Sequence, residues 1–311
     1  MKIIITGALG HIGSGLIRGI PFSLNKEVIL IDSLITQRYS SLFNLPSKGK
    51  YKFYDNDVRD FDFDLILEED DIIINLSAIT DAAASFDNPK IVEKNNFKCT
   101  EVLAQACVRN KSKLITISST SVYGSTKNIV DETASADDLN PQSPYAHTKL
   151  REEELVQKLS RENNLKSVIL RFGTIYGSSP GMRFHTAVNK FCWQAVHGKP
   201  ITVWETAYEQ KRPYLNLDDA IKSLIFFIEN NIFDSEIYNV LSGNHSVKEV
   251  VESIKKYIPN LEINFVKNEI MNQLSYEVSV DKLLKKGFRF SGNIDHGISE
   301  TISLIKASNS I

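Results

Sequence analysis

The stretch TGALGHIG, residues 6–13, decides the fold. It follows a short apolar run, Lys2–Ile5, and leads into a segment with helical spacing of apolar residues, Ile12–Ile20. Because glycine has no Cβ, a strand-to-helix turn built from glycines lets the backbone pass close to a ligand. The first turn of the helix would then direct free N–H groups at a diphosphate. The spacing is G-x-x-G-x-x-G, and a tight turn without a ligand is the alternative on this pattern alone.

Further apolar runs, each bounded by Gly, Asp, Asn or Ser, occur at Glu27–Ile31, Lys52–Tyr54, Asp71–Asn75, Lys113–Ile117 and Ser167–Leu170. Such runs are typical of strands buried on both faces. Segments with helical spacing separate several of them, notably 89–109 and 144–163. The alternation predicts βαβ crossovers and an α/β fold with a doubly wound parallel sheet of the Rossmann type.

The composition changes at Gly177, where a mixed segment rich in Arg, His, Trp and Tyr begins. This segment does not continue a regular sheet. A helical stretch, Asp218–Glu229, and a strand-like run, Glu236–Val240, could then rejoin the first sheet. We therefore predict a Rossmann domain of residues 1–176, rejoined by about 214–242, and a smaller α/β substrate lobe of residues 177–213 and 243–311.

The composition excludes several classes of protein. The chain has 311 residues, 42% of them hydrophobic, and its net charge of -2 offers no basic face for nucleic acid. Glycines interrupt the N-terminal apolar run before a signal peptide could form, and no window reaches the length of a membrane helix. The three cysteines, Cys99, Cys107 and Cys192, contain no C-x-x-C pair for a metal. We expect a cytoplasmic protein without nucleic-acid or membrane partners.

An acidic residue ends the second predicted strand. Asp32 lies 19 residues after Gly13, where a carboxylate binds the ribose hydroxyls of a dinucleotide and repels a 2′-phosphate. Capping of the next segment is the alternative role. The position favours NAD over NADP. Asp57 and Val58 follow the third strand, where they could meet the adenine edge or form a solvated turn.

Tyr145 and Lys149 are spaced four apart at the start of a predicted helix, so they share one helical face. An ammonium near a phenol lowers the phenol pKa, which makes Tyr145 a candidate acid/base. Tyr123 and Lys127 have the same spacing, but the intervening Gly124 and the strand-end location argue against a shared face.

The segment Ser118–Gly124 follows the predicted strand 113–117, at the sheet edge where ligands of such folds bind. A hydroxyl there, in particular that of Ser119, could hold the substrate oxygen that Tyr145 protonates. Loop hydrogen bonding is the alternative for a serine cluster in isolation.

Together these residues resemble the extended short-chain dehydrogenase/reductase family, the NAD-dependent epimerase/dehydratases that act on nucleotide sugars. Further marks of the resemblance are Asn75–Ala78, Asn95, Leu170–Gly177, Lys211–Tyr214 and Asp218–Asp219. The resemblance implies an NAD-binding lobe and a smaller lobe that closes over a nucleoside diphosphate sugar. It also implies a homodimer built on the helices 89–109 and 144–163, although apolar residues there, such as Val102 and Leu155, could equally cover the sheet.

The resemblance also implies the roles of individual residues, and no metal. The catalytic group is Ser119, Tyr145 and Lys149. Cofactor contacts, besides Tyr145 and Lys149, are expected at Gly7, Leu9, Gly10, His11, Ile12, Gly13, Asp32, Asp57, Val58, Leu76, Ser77, Ala78 and Asn95. Substrate contacts are expected at Thr120, Thr174, Arg183, Asn189, Trp204 and Arg212, of which Arg212 matches the arginine that binds the substrate diphosphate.

Departures from the family pattern help to choose a reaction. The 4,6-dehydratases place Asp-Glu directly after the residue equivalent to Ser119, and the decarboxylases also carry that Glu, whereas this chain has Thr120-Ser121. Dehydration and decarboxylation are therefore disfavoured, and the hydroxyl residues are closer to those of 4-epimerases. Thr174 stands where many epimerases have Asn, and Asn272–Tyr276 replaces an Arg-x-x-Asp segment, which leaves the sugar open.

The leading hypothesis is an NAD-dependent nucleotide-sugar epimerase acting at C4 through a transient 4-keto sugar, with Tyr145 as acid/base. The first alternative is a nucleotide-sugar 4-dehydrogenase or ketoreductase with net NAD(H) turnover. The second is a non-catalytic nucleotide-binding sensor or scaffold, although such a protein would be expected to lose one of the three catalytic side chains.

Overall fold

A seven-stranded parallel sheet is the centre of the molecule, seen here in a computed structural model that describes residues 1–24, 27–81, 84–124, 129–135, 138–267 and 275–308. The strands are β1 Ile3–Thr6, β2 Val28–Asp32, β3 Tyr51–Asp55, β4 Ile72–Asn75, β5 Lys113–Ser119, β6 Ile129–Val130, β7 Lys166–Phe172, β8 Thr174–Tyr176, β9 Ile201–Trp204, β10 Lys211–Asn216, β11 Ile237–Val240, β12 Gly243–Ser246, β13 Ile263–Val266 and β14 Glu277–Val278. The helices are α1 His11–Gly19, α2 Pro89–Asn110, α3 Pro144–Asn163, α4 Ala187–Val196, α5 Leu217–Glu229, α6 Val247–Lys255, α7 Asp281–Lys285 and α8 Ile294–Ser308.

The strand order in the large sheet is β11-β7-β5-β4-β1-β2-β3, and every neighbouring pair is parallel. The chain moves outward from β1 in one direction and then in the other, which is the doubly wound arrangement. The predicted fold class is confirmed. The late strand β11 joins the sheet beside β7, with Ile237 opposite Ile169.

Both faces of the sheet are covered, which explains the unbroken apolar strands. Side chains alternate along β1: Ile3 and Ile5 pack into the core on the face that α1 and α5 cover. Ile4 packs on the opposite face against Leu103 of α2 and Val156 of α3. The glycine-rich turn between β1 and α1 is therefore anchored from both sides of the sheet.

The apolar residues of α2 and α3 mostly cover the sheet. Leu103 and Ala106 are completely buried, and Val102 and Leu159 pack against the same core. This outcome supports the sheet-covering role for four of the apolar side chains at helical spacing. In the described part of the chain, no helix is both long and apolar enough to cross a membrane.

A smaller group of elements packs beyond the carboxyl ends of the large sheet's strands. It contains the sheet β12-β10-β8, the strand pair β13-β9 and the strand pair β14-β6. The helices α4, α6 and α8 enclose a separate core with residues such as Phe191, Val250 and Ile298. Strands such as β12, with the sequence Gly-Asn-His-Ser, carry no apolar alternation, so sequence periodicity does not reveal them.

Candidate active site

The glycine-rich turn is held tightly by the backbone around it. Gly7 has φ +64°, and a Cβ on it would lie 2.5 Å from the carbonyl oxygen of Leu76. A Cβ on Gly13 would lie 2.5 Å from the carbonyl oxygen of Ala8. Both positions thus need glycine for the turn itself to form. The resulting close turn leaves Gly10 and the start of α1 facing a cavity.

That cavity, about 600 Å³ in volume, opens at the carboxyl ends of the parallel strands. Its size is in the range of sites that enclose cofactors and small ligands. The structure brings most of the predicted residues to its wall: Gly7, Gly10, His11, Ile12, Gly13, Asp32, Asp57, Val58, Leu76, Ser77, Ala78, Asn95, Ser119, Tyr145, Lys149, Thr174 and Arg183. The cofactor and catalytic groups named from sequence therefore face one shared space.

Asp32 links the end of β2 to the glycine-rich turn. Its Oδ2 accepts a hydrogen bond from the Leu9 backbone N–H at 3.0 Å, and its Oδ1 accepts one from Leu34 at 3.0 Å. A carboxylate has about four acceptor sites, so further lone pairs remain for a ribose hydroxyl. Leu9 itself is buried and contributes its backbone to this link.

Ser119 is oriented as a donor toward the cavity. Its Oγ accepts hydrogen bonds from the backbone N–H of Ser121 at 3.1 Å and from the Ser121 hydroxyl at 2.9 Å. The hydroxyl hydrogen of Ser119 is consequently left to donate, either to Tyr145 or to a ligand oxygen. Ser121 also lines the cavity; sequence comparison singled it out only as a departure from the dehydratases.

Tyr145 and Lys149 occupy the same face of α3, with the Lys149 ammonium 5.9 Å from the Tyr145 ring centroid. Burial raises the pKa of the Tyr145 phenol above its usual value, and the nearby Glu152 raises it as well. Lys149, Arg183 and Ser119 lower this pKa, but burial outweighs them. The result is a protonated phenol near several groups that stabilise phenolate.

Lys149 is 4% exposed, and its ammonium contacts a carboxylate oxygen of Glu152 at 3.0 Å. Burial acts to lower the lysine pKa, but Glu152 and Tyr145 outweigh that effect and raise it. Lys149 is therefore charged at neutral pH. Sequence reasoning did not identify Glu152; its only signal was the spacing of three residues from Lys149.

A cationic rim, formed by Arg38 and Arg183, borders the cavity. His11 and His185 lie beside it, and burial lowers the pKa of both imidazoles to about 4, so they are neutral at neutral pH. Arg183 donates a hydrogen bond to the Thr80 hydroxyl, while its buried Nε has no hydrogen-bond partner among the described residues. Burial lowers the pKa of both arginines, and repulsion from Arg183 lowers that of Arg38 further. Such a rim suits the oxygens of a diphosphate. Arg38 was missed, although it follows Asp32 by only six residues.

Four predicted substrate residues lie away from the cavity wall. Thr120 and Asn189 are buried: the Thr120 hydroxyl donates to the Phe172 carbonyl, and the Asn189 side chain bonds to the backbone of Gly177. This geometry offers no support for direct substrate contacts by these two side chains. Trp204 ends β9, and Arg212 on β10 lies over the ring of Tyr276 at 5.4 Å.

Tyr123, which has the same spacing to a lysine in the sequence as Tyr145, is buried. Tyr123 is 2% exposed, and its hydroxyl donates to Asn239 Oδ1 at 2.9 Å, so it lies outside the cavity. Its partner by spacing, Lys127, lies outside the described residues, as do positions 272–274 of the segment that replaces the Arg-x-x-Asp pattern. Of the two tyrosines, Tyr145 therefore faces the cavity and Tyr123 does not.

Residues 3–240 match the family model described as the NAD dependent epimerase/dehydratase family. The chain belongs to this family. Its members are NAD-dependent enzymes on the extended short-chain dehydrogenase/reductase scaffold, so the predicted family, enzyme class and cofactor are confirmed. The glycine-rich turn, Asp32 and the cationic rim fit NAD, since they combine a close backbone approach, a ribose acceptor and cations for a diphosphate.

Two curated relatives show how far the family's reactions differ. An uncharacterized UDP-glucose epimerase of Bacillus subtilis, YtcB, is 30% identical over 82% of this chain and 81% of its own length. The trifunctional UDP-glucose 4,6-dehydratase/UDP-4-keto-6-deoxy-D-glucose 3,5-epimerase/UDP-4-keto-L-rhamnose-reductase RHM3 of Arabidopsis thaliana is 30% identical over 97% of this chain, which spans only 46% of that protein.

Among solved structures, the chain is similar to UDP-glucuronic acid 4-epimerase from Bacillus cereus in complex with UDP-glucuronic acid and NAD. The TM-score is 0.84 and the sequence identity 27%, with 99% of this chain and 100% of that chain covered. The names of these three similar proteins describe epimerisation or dehydration of nucleotide sugars.

Proposed function

We propose that this protein is an NAD-dependent nucleotide-sugar epimerase that inverts C4 through a transient 4-keto sugar. The observation that carries the proposal is the convergence of Ser119, Tyr145 and Lys149 on the cavity that the glycine-rich turn and Asp32 also line. The similarity to a UDP-glucuronic acid 4-epimerase supports inversion at C4.

The three side chains have distinct roles in this proposal. The Ser119 hydroxyl donates to the sugar O4, because both of its lone pairs are already used by Ser121. Tyr145, as phenolate, takes the proton of the 4-hydroxyl and later returns it. Lys149 stabilises the phenolate by its fixed positive charge.

Bound NAD would accept hydride from C4 and return it. Lys149 favours ionisation of the Tyr145 phenol, which burial otherwise holds protonated. Inversion requires the sugar ring to present each of its two faces in turn. The protein therefore has to hold the diphosphate firmly and the sugar loosely. We assign the first task to Arg183 on the cavity wall and to Arg212, and the contact with the base to Trp204. Arg212 and Trp204 lie beyond that wall, on β10 and β9.

Dehydration is not proposed, because the two residues after Ser119 offer no carboxyl group. Thr120 is buried with its hydroxyl on the Phe172 carbonyl, and Ser121 is bonded to Ser119. Neither can protonate a leaving hydroxyl as a carboxylic acid would. The larger domain is assigned to NAD and the smaller lobe to the sugar nucleotide.

The test uses purified protein without added cofactor. UDP-glucose, UDP-N-acetylglucosamine and UDP-glucuronic acid are incubated separately in D₂O, and the products are followed by proton NMR. We expect C4 inversion of at least one substrate with no deuterium at C4, because hydride leaves and returns without exchange with solvent. Denaturation should release close to one NAD(H) per chain.

Tyr145→Phe is the matched variant, since it keeps the ring and removes the proton carrier. We expect a loss of turnover of at least about a hundredfold with retained NAD. Turnover within a few-fold of the unaltered protein would refute the proposed role of Tyr145. Product formation only when NAD(H) is supplied in stoichiometric amount would instead identify a net dehydrogenase or reductase.

We also propose a homodimer in a reducing cytoplasm. The surface of α2 and α3 carries an exposed isoleucine, Ile91, and an ion pair between Glu93 and Arg151. The three cysteines are free and buried, which suits a compartment without disulfide formation. Analytical ultracentrifugation of the protein, and of Ile91→Glu, tests the dimer; a monomer at micromolar concentration in the unaltered protein would contradict it.

A further inference from the structure

The carboxylate of Glu152 lies beside Lys149 on the buried side of α3. Glu152 is 1% exposed, and its Oε2 contacts the Lys149 ammonium at 3.0 Å. The same oxygen accepts a hydrogen bond from the Thr100 hydroxyl of α2 at 2.7 Å. Its other oxygen, Oε1, is buried and has no hydrogen-bond partner among the described residues. A buried carboxylate with one unpartnered oxygen is costly, which calls for an explanation.

The contact extends into the fold through polar groups. Thr100 accepts a hydrogen bond from Asn75 Nδ2 at 3.0 Å, and Asn75 Oδ1 accepts one from the Thr6 hydroxyl at 3.3 Å. Thr6 ends β1 immediately before the glycine-rich turn. Glu152 is therefore held directly by Thr100 of α2, which is linked in turn to Asn75 of β4 and Thr6 of β1. This chain of hydrogen bonds connects the partner of the Lys149 ammonium to the glycine-rich turn.

The neighbouring Glu153 has a different function. Its carboxylate forms a buried ion pair with Arg171 of β7, 2.6 Å away, and so ties α3 to the sheet. Because Glu153 already supplies that link, the need to anchor α3 does not account for Glu152. What distinguishes Glu152 is its contact with the lysine that the proposed chemistry uses.

We propose that Glu152 is a positioning residue of the active site. Its carboxylate fixes the Lys149 ammonium in place and balances its charge, so that the Tyr145 phenol stays protonated. Without this carboxylate, Tyr145 and Lys149 together would carry one uncompensated positive charge in a buried site. Loss of the Tyr145 proton would then be favoured, because the resulting phenolate would neutralise that charge. With the carboxylate, the buried group is neutral while the phenol is protonated. The catalytic meaning of this balance rests on the proposed function, but the charge balance itself does not.

Among the residues that the structure describes, the charged groups that face Tyr145 and Lys149 are consistent with this assignment. Glu152 raises the pKa of Tyr145, and Arg183, from the segment after β8, lowers it. Cys99 of α2 also faces Lys149. Burial raises the pKa of that thiol to about 12, so it carries no charge at neutral pH. Within the described part of the chain, Glu152 is thus the anion that opposes Lys149 and Arg183 at the Tyr145 phenol.

The test is a phenolate titration that needs no substrate. Glu152→Gln keeps the size of the side chain and an acceptor for Thr100 while it removes the charge. Near-ultraviolet difference absorbance is recorded against pH for the protein and for Glu152→Gln, each with and without Tyr145→Phe, so that subtraction isolates Tyr145. We expect the Tyr145 midpoint to fall by about one pH unit or more in Glu152→Gln.

Two further variants separate charge from structure. Glu154→Gln removes an equal charge from an exposed position of the same helix, and its midpoint should equal that of the unaltered protein. Glu152→Asp keeps the charge and should keep the midpoint within a few tenths of a unit, even if thermal unfolding shows lower stability. An unchanged or higher midpoint in Glu152→Gln overturns the proposal. If no UDP-sugar is turned over, the proposed function fails while this titration still decides the role of Glu152.

Discussion

The imidazole Nε2 of His11 lies 2.9 Å from the carbonyl oxygen of Gly177, and this contact joins the first turn of α1 to the residue where the predicted smaller lobe begins. A carbonyl oxygen only accepts, so Nε2 carries the hydrogen. Beside it, the Ser179 hydroxyl donates to the His11 carbonyl, and the Gly181 N–H donates to the Ser14 hydroxyl. The cofactor turn and the segment after β8 are therefore one packed unit, although far apart in sequence.

His11 should make stability depend on pH. Burial lowers the pKa of the imidazole to about 4. The hydrogen bond to Gly177 raises this pKa, whereas the nearby Arg183, Arg38 and His185 lower it further. The unfolded chain, with the ordinary value of 6.5, binds the extra proton between pH 6.5 and 4, so the free energy of unfolding falls as the pH falls through that window. We expect a contribution of about 3 kcal/mol, lost by pH 4. Urea unfolding of the protein and of His11→Gln checks it; parallel pH profiles would contradict the assignment.

Gly181 should be intolerant of any side chain. A Cβ there would lie 2.2 Å from the Leu9 carbonyl oxygen and 2.5 Å from that of Gly10, both rigid backbone atoms of the turn. We expect Gly181→Ala to lower stability by about 2 kcal/mol or more and NAD affinity by roughly tenfold. Thermal unfolding and NAD titration of the emptied protein measure both.

Gly198→Ala is the control for Gly181→Ala. Gly198 has φ +63° and open space around its Cβ position, so alanine there adds backbone strain without a clash. We expect about 1 kcal/mol of destabilisation and unchanged NAD affinity. Equal losses of NAD affinity in both variants would show that general destabilisation, and not displacement of the turn, is responsible.

The Glu153–Arg171 pair should contribute much more to stability than an exposed pair. Both side chains are nearly inaccessible, with N and O atoms 2.6 Å apart, and Glu153 also accepts a hydrogen bond from Ser118. We expect Glu153→Gln to cost about 3 kcal/mol or more, because it leaves a buried guanidinium without its counter-ion. Glu93→Gln breaks the exposed pair with Arg151 and should cost less than about 1 kcal/mol. Similar costs by urea unfolding would contradict the prediction.

Asp32 should set the choice of cofactor together with Arg38. Asp32→Asn removes the charge that repels a 2′-phosphate and weakens the ribose contact, so NAD affinity should fall by about tenfold or more. Arg38 lies close enough to Asp32 for their charges to interact, and it should then attract NADP. Fluorescence titrations with both cofactors test this. The double variant Asp32→Asn/Arg38→Met should lose the gain in NADP affinity; if it keeps the gain, Arg38 is not the responsible group.

Several features of the site follow from local sequence. Apolar runs and helical segments alternate, which predicts the parallel sheet, and Asp32 occupies a strand end that spacing alone locates. Tyr145 and Lys149 share a face because helix geometry places every fourth residue together. Each of these depends on residues close together in the chain, and the resemblance to the family reinforced them.

Other features depend on where distant segments meet. Asn189 has the residue type of a ligand contact, but the fold directs its side chain to the backbone of Gly177. Tyr123 has the spacing of an acid/base, but the sheet buries it against Asn239. No local pattern distinguishes these outcomes, because the direction of a side chain is chosen by packing partners from other elements.

The sequence by itself determined the fold class, the glycine-rich turn and the placing of Tyr145 and Lys149 on one helical face, because periodicity and short spacings encode strands, helices and shared faces. Helix geometry also brings Glu152 near Lys149, because the two lie three residues apart on α3. Only the tertiary structure decided which other groups reach that pair. Thr100 holds the Glu152 carboxylate because α2 and α3 pack together, and Arg183 reaches Tyr145 because the segment after β8 folds back onto the glycine-rich turn. Such interactions depend on distances between segments that are far apart in the chain, and short spacings do not contain them.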